Sequence, residues 1–378
     1  MNHLKRLNQY FWRYKYHFFL GMLFVTLSNI FGVVPPQIVR YAFDLVKDNI
    51  AYYNLYEGFE LQNQFYSLFN MTLLFFGSAV IVIALIKGLF TFLMRQTIIV
   101  MSRLIEFDLR NDLFTHYQKL SSAFYKRNRT GDLMSRATED VTRVRAYLGP
   151  AVMYSINLVG LIVIVVSTML SVNAELTFYV LIPLPLLALS IYYVNTIIHK
   201  KSERIQQQMS HITSIAQESF SGIRVLKAYN QENNTNTYFE KESEVYKKRS
   251  LELARVQAMF FPLMILLIGA SSILTIYIGG LQVISGKITS GNIAEFVIYV
   301  NMLTWPVTSI GWVAALIQQA SASQKRLNEF LDTQPDIVNT QKKPSFLKGH
   351  IVFDKVSFTY PDTGVVALKD VCFELKAG

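Results

Sequence analysis

The residues of this chain with the most chemistry in them are charged, and their spacing suits docking better than catalysis. The run FYKRNRTGDLMSRATEDVTRVRAYL, positions 124–148, carries Lys126, Arg127, Arg129, Arg136, Arg143 and Arg145 around Asp132 and Asp140. Gly131 interrupts the helical pattern, and Asp132 is expected to cap a short helix, DLMSRATED, that starts there. A second polar tract, IAQESFSGIRVLKAYNQE, sets Glu218 ahead of another interruption at Gly222. Farther on, Asn301, Trp305, Thr308 and Trp312 follow at steps of four, three and four, which puts an amide, a hydroxyl and two indoles on one helical face. Tyr360 ends an alternating stretch, where a planar phenol could stack on a flat ligand. None of these groups is a candidate catalyst. The single cysteine, Cys372, makes no disulfide framework or thiolate cluster, and the six histidines lack HExxH or comparable spacing, so no metal site is expected.

The elements that must position these groups are membrane helices. Of the 378 residues 52% are hydrophobic and only 16% charged, the composition of a polytopic membrane protein. The net charge of +10 sits beside apolar runs, where anionic headgroups and the positive-inside tendency account for it, so nucleic acid is not an expected partner. Residues 1–16 read as an amphipathic helix on the inner surface, with Leu4, Leu7, Phe11 and Tyr14 on one face. A signal peptide is rejected, because the apolar run 18–34 is too long and no small-x-small site follows. Six spans are expected at about 17–42, 67–95, 149–171, 176–198, 260–284 and 293–316. Lys87 and Arg40 lie near span ends, where snorkelling explains them.

Loop charge orients the spans. The connection 44–64 holds Asp44, Asp48, Glu57 and Glu60 against Lys47, whereas the 124–148 and 200–255 connections hold most of the Lys and Arg. The basic side is cytoplasmic, with both termini inside. Between the second and third spans, Ile98, Met101, Ile105, Leu109, Leu113, Tyr117 and Leu120 keep a helical period. A helix from Ser67 to Leu120 would be on the order of 80 Å long and project well past the bilayer. The fourth-to-fifth connection repeats the design around Gly222. Two inward helical hairpins with broken tips make a transmission device. After position 350 the period changes: Ile351, Phe353, Val356, Phe358 and Tyr360 nearly alternate, as do Val371, Phe373 and Leu375, the pattern of a β-meander.

The motifs carry a family resemblance. FYKRNRTGDLMSRATEDVTRVR resembles the first coupling-helix segment of ABC exporter half-transporters, F-[FY]-x-K-x-R-x-G-D-L-x-S-R-x-x-x-D. Glu218, Gly222, Ile223, Leu226, Lys227 and Tyr229 resemble the second coupling region, with Leu226 where a β-branched residue is commoner. ASASQKRLNEFLD resembles the exit of the last membrane helix, and IVFDKVSFTYPDTGVVALKDVCFELKAG the first strands of an ABC ATPase domain with its aromatic A-loop. The resemblance implies a transmembrane domain over 1–331, a linker over 332–349 and the opening of a nucleotide-binding domain over 350–378. It implies that Gly131, Asp132, Leu133, Ser135, Arg136, Asp140, Glu218 and Gly222 touch nucleotide-binding domains, and that Tyr360 stacks on adenine.

No G-x-x-x-x-G-K-[ST] loop occurs in the 378 residues, so this polypeptide is not expected to hydrolyse ATP alone, and it reads as cut just before the Walker A loop. ATP and Mg2+ would serve only the full-length protein. The implied function is the permease portion of an ATP-driven exporter in the plasma (inner) membrane, moving amphipathic or apolar cargo, drug or lipid, by alternating access. Asn301, Trp305, Thr308 and Trp312 are the candidate cargo path, and surrounding lipids are further partners. Six spans are half of what the family uses, so a second half-transporter is implied, identical or different. A channel, or a permease with a separate ATPase chain, stays open as the alternative.

Overall fold

The computed structural model describes residues 2–55, 61–336, 349–360 and 363–377. A 3-10 turn, Asn2–Leu7, leads into α1 (Asn8–Arg13), α2 (Lys15–Leu55) and α3 (Leu61–Lys119). The short α4 (Ser122–Arg127), α5 (Thr130–Ser135) and α6 (Val141–Ala146) precede α7 (Val152–Val172), α8 (Ala174–Leu181) and α9 (Pro183–Ser221). The short α10 (Ile223–Ala228) joins α9 to α11 (Glu232–Ile284), and α12 (Ser290–Leu331) follows. Strands β1 (Ile351–Thr359) and β2 (Val366–Leu375) pair antiparallel. Among the described residues six helical stretches are long and apolar enough to cross a membrane. The chain is an all-α polytopic membrane protein with a small C-terminal sheet.

The first compact unit, Met1–Tyr117 with Asn128–Thr333, contains the spans. In it α3 belongs to an unbroken helix of 59 residues, about 90 Å at 1.5 Å per residue, against a hydrocarbon core of about 30 Å. Ile98, Met101, Ile105, Leu109 and Leu113 of α3 are all buried, as their spacing requires. α3 lies on α2 through Ser28 Oγ and Thr91 Oγ1, 2.9 Å apart, and the stacked rings of Phe31 and Phe90, 5.4 Å apart. Between α5 and α7 the helix widens into π turns at Arg136–Asp140 and Tyr147–Ala151, and the second accommodates Pro150, which has no N–H to donate. Asn173 separates α7 from α8 and caps the latter, its Oδ1 accepting the Leu176 N–H at 2.8 Å.

An apolar core joins α2, α7, α8, α9 and α12, with Phe296, Tyr299 and Val300 of α12 in one cluster with Val165 and Met169 of α7 and Leu176 and Val180 of α8. A polar knot beside it ties α2 to α12. Glu295 is fully buried and takes Arg40 Nη1 at 3.2 Å and the Tyr299 hydroxyl at 2.9 Å. Asp44 accepts the Gly291 N–H at 2.8 Å and the Thr289 hydroxyl at 2.6 Å. A Cβ on Gly291 would collide with the Arg40 carbonyl, so glycine lets α12 begin this close to α2. Arg40 is therefore not a snorkelling side chain: a buried carboxylate draws it inward, with its guanidinium 4.4 Å from the Tyr41 ring. Lys87 likewise leaves the span end, its ammonium lying beside Gly32 within the apolar run of α2.

At the N-terminus the buried face is Leu4, Leu7 and Tyr10. The three-residue period of the 3-10 turn brings position 10 inward where the α period would bring 11. The Tyr10 hydroxyl donates to Asp112, and Arg13 pairs with Asp108 at 3.0 Å. Burial, then the Asp112 carboxylate, push the Tyr10 phenol well above its ordinary range.

The second unit comprises Gln118–Arg127 and Gln334–Gly378. Its sheet is a two-stranded hairpin rather than a longer meander among the described residues. Phe353 and Phe373 stack at 4.2 Å, and Lys355 and Asp370 take left-handed backbone near the register shifts. Most of the expected linker, 337–348, lies outside the described residues.

Candidate functional site

At the first tip the helix begins earlier than the sequence suggests. Arg129, with extended backbone, precedes α5, so Asp132 sits in the first turn and is not the cap. A carboxylate there still favours the helix N-terminus, and it is taken by two arginines. Arg136 reaches Asp132 Oδ2 at 2.8 Å from one turn on, and Arg326 of α12 reaches Oδ1 at 2.9 Å. The Arg326 Nε also stands 3.3 Å from Asp140 Oδ2, an ion-pair approach without hydrogen-bond geometry. Asp140 is 1% exposed, so the guanidinium is the countercharge it has at hand.

Apolar contacts fix the same junction. Leu133 is buried, and its carbonyl accepts the Tyr117 hydroxyl at 2.7 Å. Phe330 of α12 is buried against His116 and Tyr117, at ring distances of 4.9 and 4.4 Å, with the Arg136 guanidinium 6.0 Å from its ring. Behind them Glu106 of α3, also buried, faces Arg103 at 3.0 Å, Arg110 at 2.7 Å and Arg145 at 3.4 Å. Ser135 is half-buried. Gly131 is exposed, and a Cβ there would meet nothing within 4 Å. Its place is not forced by packing inside this chain.

At the second tip Gly222 ends α9, its N–H donating to the Glu218 carbonyl at 2.8 Å. The Glu218 side chain is exposed, and so are Phe220, Ile223, Val225 and Tyr229 around the break. Apolar side chains gathered on an otherwise polar hairpin mark an interaction surface. No hydrogen bond or ion pair joins the two tips among the described residues. The structure thus brings Asp132, Leu133, Arg136 and Asp140 together with Arg326, and leaves Glu218 and Gly222 apart from them.

The expected cargo stripe on α12 is partly occupied by packing. Tyr154 of α7 contacts both Trp305 and Trp312, at 5.5 and 5.3 Å between rings. Each indole still leaves about half its surface open, 50% and 49%. Asn301 donates to the Val297 carbonyl of its own helix at 2.8 Å. The Thr308 side chain lies outside the described residues.

A cleft of about 880 Å³ opens between α9 and α12, with Phe260 of α11 at its edge. Trp312 is the one member of the stripe, among the described residues, that lines it. Tyr192, Asn195, Thr196 and His199 of α9 and Gln318 and Gln319 of α12 supply its polar lining. A Cβ on Gly311 would lie 2.6 Å from Asn195 Nδ2, so the missing side chain keeps the cleft open to that amide. The α9 set recurs at i, i+3, i+4 and i+7, a signal available in the sequence.

Tyr360 ends β1. Its N–H donates to the Val365 carbonyl and its own carbonyl accepts from Gly364, both at 2.9 Å. Phe358 meets the ring edge-on at 5.2 Å, and 47% of the residue is exposed, so a ring face is free to stack.

The family profile described as ABC transporter transmembrane region matches residues 18–307. The chain is similar to the probable multidrug resistance ABC transporter ATP-binding/permease protein YheI of Bacillus subtilis (strain 168), 29% identical over 379 residues, covering 99% of this chain and 62% of that protein. It is similar also to the multidrug resistance-like ATP-binding protein MdlA of Escherichia coli (strain K12), 27% identical over 374 residues, covering 98% of this chain and 60% of that protein. The ATP-dependent lipid A-core flippase of Syntrophus aciditrophicus (strain SB) is 30% identical over 302 residues, covering 79% of this chain and 50% of that protein. The chain thus spans about three fifths of the length of the first two relatives, 62% and 60%.

Proposed function

We propose that this chain, which belongs to the ABC transporter transmembrane region family, is the permease portion of an ATP-driven exporter of amphipathic or apolar molecules. The observation that carries the reading is the first tip. A short helix at the end of an overlong hairpin is ion-paired through Asp132 to Arg326 of α12, whose Phe330 packs against Tyr117 of the same hairpin. A push on α5 would pass to α12 through packed and ion-paired contacts rather than dissipate in a loop. The exposed apolar residues at the second tip suit contact with a motor domain.

ATP is the implied energy source, with Mg2+, and a second half-transporter is the implied partner. Of the residues described, Tyr360 fits the base, offering an open ring face for stacking; the phosphates and the ion would be held outside this chain's residues. The cleft between α9 and α12 is the candidate cargo site. Its amides, hydroxyls and indole beside apolar walls suit a molecule with a polar head and an apolar body. The names of the relatives, multidrug resistance and lipid A-core flippase, fit such cargo. We place both termini and both tips in the cytoplasm.

The test is ATP-driven uptake of an amphipathic dye into inverted membrane vesicles bearing the complete exporter. Asp132→Lys and Glu218→Lys should each abolish uptake while nucleotide binding holds. Uptake at the wild-type rate in both variants would remove the tips from the transmission path.

A further inference from the structure

We propose that Lys87 is the counter-ion for the anionic head of a long-chain amphiphile, bound against α2 and α3 deep in the membrane. The binding rests on the membrane placement of these helices; that the ligand is cargo rests on the exporter reading.

Neighbouring contacts fix the level of Lys87. Gly21 lies beside Ile98, and Ser28 meets Thr91 at 2.9 Å, so α2 and α3 run antiparallel. Gly32, four positions on from Ser28, therefore stands level with Lys87, four positions back from Thr91. A Cβ on Gly32 would lie 3.3 Å from the Lys87 Nζ, 3.4 Å from its Cε and 3.8 Å from its Cδ. The lysine tail thus crosses to α2 through the space that a side chain at 32 would need, and does not climb toward either headgroup layer. Position 87 is about 12 Å from the inner end expected for its span at 95, and position 32 about 15 Å from the outer end expected at 42. Both distances exceed the reach of a lysine.

The charge at this depth is uncompensated. The Lys87 carbonyl accepts the Thr91 hydroxyl at 2.8 Å, but its ammonium has no hydrogen bond or ion pair among the described residues. Ionisable groups inside a membrane are costly and are found paired. Within the six expected spans Glu295 is the sole Asp or Glu, and it is held by Arg40 at 3.2 Å and Tyr299 at 2.9 Å. A second copy of this chain would bring the same set and no further acid. The countercharge must then arrive on a molecule that enters the membrane.

A small hydrated anion would give up its water for one ion pair, a poor exchange. An amphiphile carries its head to this level with its tail already in hydrocarbon. The apolar wall for that tail is aromatic: Phe90, three positions after Lys87, stacks on Phe31 at 5.4 Å and stands 6.2 Å from Phe24. One fixed cation suits a monoanion, a long-chain carboxylate. None of these residues lines the cleft between α9 and α12, so this is a separate, charge-selective site.

The test titrates the chain in neutral detergent at pH 8.5 with oleate, oleyl alcohol or acetate and counts bound molecules by native mass spectrometry. The wild type should bind one oleate about 10-fold more tightly than oleyl alcohol, and no acetate. Lys87→Gln removes a charge from the spans, so it should fold at least as well. It should weaken oleate about 10-fold, the worth of one charge-assisted hydrogen bond, and leave oleyl alcohol unchanged. Lys87→Arg should keep oleate, and Arg95→Gln, at the inner end of the same span, should not disturb it. The proposal is overturned if Lys87→Gln binds oleate as the wild type does, or if oleate and oleyl alcohol weaken alike. It is overturned also if the complete exporter loses the oleate binding of the chain alone, since an acid of the partner would then be the counter-ion. Binding is read without ATP, so a wild type that binds oleate yet fails in the dye-uptake assay would overturn the exporter reading and leave the site standing.

Discussion

Removing Arg326 tests whether charge keys the first tip to α12. Arg326→Ala takes away two contacts of unequal worth. Asp132 is 44% exposed and keeps Arg136, so that loss costs about 0.5 kcal/mol, as for a surface pair. Asp140 is 1% exposed and its Oδ2 has no hydrogen bond, so without the guanidinium its charge is buried and uncompensated. Breaking a fully buried pair costs about 3–5 kcal/mol. Arg326 is itself 41% exposed, so solvent screens the contact and about 1.5 kcal/mol is the appropriate share. The expected total is about 2 kcal/mol. The second substitution discriminates the cause. Asp140→Asn on top of Arg326→Ala removes the stranded charge and should return about 1 kcal/mol. Reversible unfolding of the chain in mixed micelles, followed by tryptophan fluorescence, measures both. A double variant less stable than Arg326→Ala alone, or a single variant within about 0.5 kcal/mol of the wild type, would refute the argument.

Four further outcomes are expected. Arg40→Met should cost about 3 kcal/mol in the same assay, because Glu295 is fully buried, and Arg40→Met with Glu295→Met should recover most of it; equal loss in both variants would contradict the ion-pair account. Tyr10→Phe should cost about 1.5 kcal/mol, the worth of a hydrogen bond to a carboxylate. Since the folded phenol titrates above its ordinary 10.0, its share of stability is intact below that pH and is lost as pH rises past it, a decline that Tyr10→Phe should flatten in an alkaline stability titration. Cysteines at positions 54 and 128 should react with an impermeant thiol reagent in sealed cells only at 54, and labelling at 128 would reverse the orientation. In the complete exporter Tyr360→Ala should weaken ATP binding by about 1–3 kcal/mol while Tyr360→Trp holds, as followed by a fluorescent ATP analogue.

What was legible in the sequence is whatever repeats along one helix, because period alone sets which residues share a face. Ile98 to Leu113 are buried as their spacing requires, and the same rule would reach Tyr192, Asn195, Thr196 and His199. Partner choice between helices is not periodic. Arg326 and Asp132 are 194 positions apart, and nothing local in either stretch names the other. Arg40 shows why local rules mislead here. Asp44 follows it at i+4, the spacing of a helical ion pair, yet no ion pair joins them among the described residues. Asp44 turns instead to the Gly291 N–H in the first turn of α12 and to the Thr289 hydroxyl, where orphan donors and the helix dipole favour a carboxylate. That leaves the guanidinium to Glu295, which is fully buried and has more to lose by standing alone. An exposed acid can trade a cation for backbone donors at little cost, and a buried one cannot. The pairing is therefore decided by burial, which exists only once α2 and α12 have met.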